Sequence, residues 1–168
     1  EAPEKYAELK NLVEENRWEP EGAMWVECDC NLSSGESFIR QIMHGKQFFK
    51  NEFGKDSKVL FLPDVFGYSS ALPQILKKCG IDYFVTSKIS WNDTNQLPVD
   101  SFMWQGIDGT EIFSSFITAQ NSRKNHVTNR ETTYVALIDS SYVLGSWDRY
   151  QQKEYNTHTI MTYGYGDG

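Results

Sequence analysis

The chain has 168 residues, 39% hydrophobic and 23% charged, with a formal net charge of −7. That is the composition of one globular domain with a real core, and its acidity excludes partners built on phosphate backbones, nucleic acid above all. No apolar run approaches the roughly 20 residues a bilayer span requires, so no membrane partner is expected, and the opening EAPEKYAELKNLVEENRW is amphipathic and acidic, unlike a signal peptide.

Residues 3–16 carry Tyr6, Leu9, Leu12 and Val13 at helical spacing, with Pro3 in the first turn. AMWVE, residues 23–27, reads as a short buried strand, followed by the loop CDCNLSSG. A second helix is predicted from Glu36 to about Phe53. Ser33 or Ser34 would cap its start, Gly54 stops it, and Phe38, Ile42, Phe49 and Phe53 share a face. KVLFLP is a buried strand of the parallel type, ALPQILKKCG a short helix with Pro73 in its first turn, and DYFVTS the next strand. That order suits a parallel crossover.

FMWQGIDGTEIFSSFI has two strand-like runs flanking Asp108-Gly109, which predicts a hairpin inserted in the α/β framework. Residues 120–133 are polar and aperiodic and read as a long loop. A helical piece near 139–153 and a strand near THTIMTYG close the chain. The class is therefore α/β with a mainly parallel sheet. A complete (β/α) barrel needs at least about 200 residues. A chain that opens on a helix and closes on the glycine-rich GYGDG is expected to be a single partial domain, residues 1–168, cut from a larger barrel.

Cys28, Cys30 and Cys79 are too few and too uneven for a disulfide framework, which favours a reducing compartment. The Cys28-x-Cys30 spacing is tighter than that of zinc motifs and no second pair completes it, so these read as structural thiols. Aromatic residues make up 14% of the chain, enough to line a sugar pocket and equally suited to filling a core.

Ligands of parallel α/β sheets gather at the C-terminal ends of strands. The polar residues at those ends are Glu27, Asp29, Asp64, Lys88 and Asp167, a set suited to acid–base or metal chemistry. Each also has a plainer reading. Asp64 could cap the following helix, Lys88 could be a solvated surface residue, Asp167 a turn former and Phe66 a core ring. Glu36 is explained by the first turn of its helix. His44, His126 and His158 are scattered singles. Pattern alone leaves a carbohydrate-active enzyme and an aromatic-lined binding module both open.

NRWEPEGAMWVECDCNLSSGESFIRQ and FLPDVFGYSSALPQILKKCGIDYFVTSKISWN closely resemble glycoside hydrolase family 38, the zinc-dependent α-mannosidases. DSFMWQGIDGTEI and YQQKEYNTHTIMTYGYGDG are similar to the same family, in the form of its bacterial and cytosolic members. The likeness spans nearly the whole chain and is weakest between about 118 and 135. It implies a retaining exo-α-mannosidase with a seven-stranded (β/α) barrel, a cytoplasmic location and a mannose-containing oligosaccharide as substrate. It leaves room for a homo-oligomer of the full-length protein.

Carried over residue by residue, the resemblance makes Asp64 of PDVFGYS the nucleophile and a zinc ligand. It makes Asp167 of YGYGDG the acid/base, Phe66 a ring packed on the sugar, and Lys88 a cation that keeps the nucleophile ionised. The family's His-x-Asp zinc motif and its later zinc-ligand His are absent from these residues. Cys28 stands where proline is common, and Val135-Ala136 where Asn-Gly is common. The isolated chain is therefore expected to be inactive and without a competent metal site. A metal-dependent carbohydrate deacetylase is the runner-up, and a lectin-like module the third reading.

Overall fold

The computed structural model describes residues 2–92, 94–95, 97–119 and 137–155. Its first helix, α1, covers Pro3–Glu14 and packs on α2, Gly35–Phe53. Tyr6 meets Phe53 edge-on at 6.2 Å and donates its hydroxyl to Glu52 at 2.6 Å. The α2 boundaries follow from local chemistry. Ser34 accepts the amide of Ser37 at the N-cap, and Gly54 ends the helix at φ 67°, a left-handed turn that favours glycine.

The sheet contains β1 (Val59–Phe61), β2 (Tyr83–Thr86), β3 (Ser101–Gln105) and β4 (Glu111–Phe116), in the order β1-β2-β4-β3. The pairs β1–β2 and β2–β4 are parallel and β3–β4 is antiparallel, so the fold is mixed α/β with a mostly parallel sheet. Helix α3, Leu72–Lys78, makes the crossover from β1 to β2. A 3₁₀ turn at Lys88–Ser90 follows β2, and α4 spans Ser140–Arg149 behind an Asp139 cap.

The predicted hairpin forms with Gly109 at φ 85°, but it is not an insertion beside the sheet. Strand β4 lies between β2 and β3 and takes the parallel ladder of β2. The predicted loop at 120–133 and the strand near 157–164 lie outside the described residues.

One predicted strand does not form. Residues 23–27 make no ladder, and the segment keeps a single parallel bridge from Gly22 to Leu60. Ala23 adopts φ 57°, which turns the chain out of extended geometry. The amides that a strand would have paired go to α2 instead. Trp25 donates to the Gln41 carbonyl at 2.9 Å and Val26 to Gln41 Oε1 at 3.0 Å. Gly45 permits this close approach, since a Cβ there would sit 2.0 Å from the Ala23 carbonyl oxygen. Trp25 and Val26 are consequently exposed.

One sheet face, through Leu60, Phe84 and Ile112, packs with Phe38 and Ile42 of α2 and Leu72 and Leu76 of α3 into the main core. The opposite face presents Val59, Phe61, Tyr83, Val85 and Phe113 to an apolar groove of about 1260 Å³.

Candidate active site

Three neighbouring chain segments run in the same direction and end on the same edge: the bridge segment at Gly22, then β1, then β2. Each delivers one charged residue beyond its end, Glu27, Asp64 and Lys88 in that order. Lys88 Nζ lies 2.9 Å from Asp64 Oδ1. The lysine side chain is only 8% exposed while that of Asp64 is 43% exposed, so the cation is sheathed and the carboxylate still reaches solvent. The sheath is aromatic. The ammonium sits 3.6 Å from the Trp91 ring centroid and 5.2 Å from that of Phe66. Ring faces stabilise such a cation when water is largely excluded.

The turn that carries Asp64 is tied down peptide by peptide. Ser87 Oγ donates to the Pro63 carbonyl at 2.6 Å, and the Asp64 amide donates to Glu27 Oε1 at 2.7 Å. Asn31 Nδ2 donates to the Phe66 carbonyl at 3.0 Å. The Tyr68 hydroxyl lies 3.1 Å from the Leu62 carbonyl, 3.0 Å from that of Val65, and against the Thr86 hydroxyl. Burial drives the Tyr68 phenol well above its ordinary pKa, so it remains a neutral donor. At Gly67, φ is 117° and a Cβ would press to 2.8 Å from Asn31 Nδ2. Only glycine fits there without strain.

The Glu27 carboxyl is raised above its ordinary range, chiefly by desolvation, although the residue as a whole is exposed. The Asp64 amide opposes that rise, the Asp64 charge adds to it, and Lys88 offsets part of it. Asp29 plays a different part. Its Oδ1 accepts the amides of Asn31 at 2.8 Å and Leu32 at 2.7 Å, closing a turn.

These contacts decide several of the open sequence readings. Asp64 does not cap the next helix, because α3 starts at Leu72 with Ala71 as its N-cap residue and no side-chain cap. Lys88 is not a solvated surface residue, and Phe66, at 67% exposure, is not a core ring. His44 is exposed on α2, and Glu36 pairs with Arg40 at 2.9 Å. Cys28, Cys30 and Cys79 are free thiols, and burial pushes Cys30 up to about 12. A thiol so raised is a poor nucleophile and a poor metal ligand at neutral pH.

Asp167, His126 and His158 lie outside the described residues. Trp91, Tyr68 and the Glu27 contact were not singled out from sequence. A tryptophan three residues beyond a strand-end lysine was the available signal for the first.

Among the described residues no group of three or more His, Cys, Asp or Glu is placed to hold a metal ion. Asp64 offers a carboxylate already facing an ammonium. The described residues alone therefore do not fit a zinc site.

A mixed α/β fold with charged residues converging at the strand ends defines a ligand-binding or catalytic domain of the parallel-sheet class. Residues 1–168 match the model of the glycosyl hydrolases family 38 N-terminal domain, and the chain belongs to that family. It is 40% identical over 166 residues to alpha-mannosidase G of Dictyostelium discoideum, covering 99% of this chain and 14% of that protein. It is 38% identical over 156 residues to the alpha-mannosidase of Saccharomyces cerevisiae, covering 93% of this chain and 13% of that protein. The crystal structure of an alpha-mannosidase from Enterococcus faecalis V583 superimposes on 97% of this chain and 18% of its own, with a TM-score of 0.68 at 19% identity, a likeness of fold. The chain thus spans about one seventh of the length of these two curated relatives.

Proposed function

We propose that this chain carries the nucleophile of a retaining α-mannosidase, and that the whole protein removes terminal α-mannosyl residues from mannose-containing oligosaccharides. The observation that carries this reading is the Asp64–Lys88 pair at the ends of two adjacent parallel strands, with the Asp64 side chain 43% exposed. Family membership and the α-mannosidase names of the relatives supply the reaction and the sugar.

In a double displacement, the Asp64 carboxylate attacks the anomeric carbon as the bond to the leaving oxygen breaks. A second carboxyl, about 5–5.5 Å away in retaining enzymes, protonates that oxygen. We assign this role to Asp167. Water then attacks the same carbon, giving its proton to the Asp167 carboxylate, and Asp64 departs as an anion. Lys88 favours the ionised form of Asp64 at both ends of the cycle. The exposed Phe66 ring offers an apolar face for the sugar.

Zinc is the proposed metal, with Asp64 as one ligand and the others supplied from beyond the described residues. The four strands are proposed to belong to a seven-stranded barrel. The apolar sheet face lining the open groove supports that, since so large an apolar surface calls for cover. Three free cysteines support a cytoplasmic location. No helix among the described residues is long and apolar enough to cross a membrane.

The test is Asp64→Asn in the full-length protein. Release of p-nitrophenol from an α-mannoside should fall by about a thousandfold or more, as expected for loss of a covalent nucleophile. Unchanged turnover would end the reading. The isolated chain should be inactive, and zinc-dependent turnover by it would overturn that part of the proposal.

A further inference from the structure

Glu27 has no part in the reaction described above, yet it makes a direct contact to the backbone of Asp64. Its Oε1 accepts the Asp64 amide at 2.7 Å across 37 residues of sequence. We propose that Glu27 is a positioning residue, which fixes the peptide of Asp64 and so aims the Asp64 carboxylate. The inference rests on the proposed α-mannoside cleavage for its reaction, though not for its geometry.

Glu27 stands on a fixed anchor. The segment before it is stitched to α2 through the Trp25 and Val26 amides, and Gly45 lets that helix meet the Ala23 backbone directly. Ser87 holds the carbonyl end of the same peptide through Pro63 O, and Tyr68 ties the neighbouring peptides at the carbonyls of Leu62 and Val65. Lys88 grips the Asp64 side chain at 2.9 Å. The carboxylate is thereby held from both directions, at its backbone by Glu27 and at its oxygen by Lys88.

A carboxylate is a costly acceptor beside another carboxylate. It is also a stronger acceptor of an amide proton than a neutral group, and Lys88 offsets the repulsion. Glu27 caps no helix, since α2 begins at Gly35 behind Ser34. Loss of Glu27 removes the tie at the amide end of the Pro63–Asp64 peptide and leaves the Ser87 bond at its carbonyl end, and a misplacement of about 1 Å at a reacting group costs up to about a hundredfold in rate.

The experiment compares Glu27→Ala and Glu27→Gln in the full-length enzyme on p-nitrophenyl α-mannoside. Alanine removes the acceptor, whereas glutamine keeps an oxygen at the same position. We expect E27A to lower kcat about tenfold or more with KM within about twofold, and E27Q to stay within about threefold of wild type, because the amide bond is retained. Hydrogen exchange provides a second readout, independent of turnover. The Asp64 amide should exchange faster in E27A and at the wild-type rate in E27Q, with α2 and β2 unchanged in both.

Wild-type kcat in E27A would overturn the proposal, as would damage by E27Q equal to that by E27A, which would mean that charge rather than the hydrogen bond matters. An Asp64 amide that exchanges equally in wild type and E27A would overturn it too. If the wild-type protein shows no α-mannosidase turnover, the proposed function fails, and exchange at the Asp64 amide still decides the role of Glu27.

Discussion

Replacing Lys88 with methionine separates the two halves of the proposed cycle. Methionine keeps an unbranched apolar side chain beneath Trp91 and Phe66 while removing the charge 2.9 Å from Asp64. At that distance a full ion pair is worth ~1.4 kcal/mol in bulk water and ~6 kcal/mol at an effective dielectric of 20. The 43% exposure of the Asp64 side chain places the site towards the lower end, about 2–3 kcal/mol. Lys88 acts when Asp64 is an anion and has little to hold once Asp64 is esterified by the sugar. Its loss should therefore slow the second step, in which Asp64 departs as a carboxylate. With about half of the charge developed in that transition state, the cost is ~1–1.5 kcal/mol, roughly a five- to fifteenfold drop in rate.

The first step loses less, because an unpaired carboxylate is more nucleophilic. The signature in K88M is a lower kcat, a lower KM and a burst of p-nitrophenol before steady state, as the glycosyl-enzyme accumulates. Stopped-flow measurement on the full-length enzyme reads all three. A kcat within threefold of wild type would refute the reasoning, and so would a fall in kcat with raised KM and no burst.

Two further predictions concern the scaffold. Gly45→Ala drives a Cβ into the Ala23 backbone at 2.0 Å, and should destabilise the domain by about 2–4 kcal/mol, read as a lowered denaturant midpoint at unchanged slope. The Asp56 carboxyl is lowered from its ordinary 3.8 first by hydrogen bonds from Lys46 and Lys58. Its contribution is thus complete above the unfolded pKa and lost as pH falls through the folded one, in the range below roughly pH 4. Both partners reach water, so the effect is under ~1 kcal/mol. Asp56→Asn should flatten that part of the stability–pH curve, and an unaltered acid limb would count against it.

The sequence made legible whatever depends on near neighbours. The Ser34 cap, the Gly54 stop and the Asp108-Gly109 turn each declare themselves within four residues, and the structure has all three. Strand–helix–strand order likewise predicted the parallel pairing of β1 with β2. The 23–27 segment failed because an apolar run does not say where its amides will bond. Here they bond to Gln41, and the reason is a glycine 22 residues further on.

The site divides in the same way. Asp64 and Lys88 were found by asking which residues stand at strand ends, and the fold does bring them into contact. The burial of Lys88 and the exposure of Phe66 reverse what their side chains usually do, because each depends on the other and on Trp91. The bond from the Asp64 amide to Glu27 spans 37 residues and follows no periodicity. Asp167, the proposed partner carboxyl, lies outside the described residues, so its distance from Asp64 stays with the proposal.

The most direct test of the central claim is peptide mass spectrometry of the full-length enzyme, quenched during turnover of an activated α-mannoside. The account predicts one added hexosyl group, carried by Asp64 and accumulating further in K88M. A fully active enzyme with no adduct, or with the adduct on another carboxylate, would contradict it.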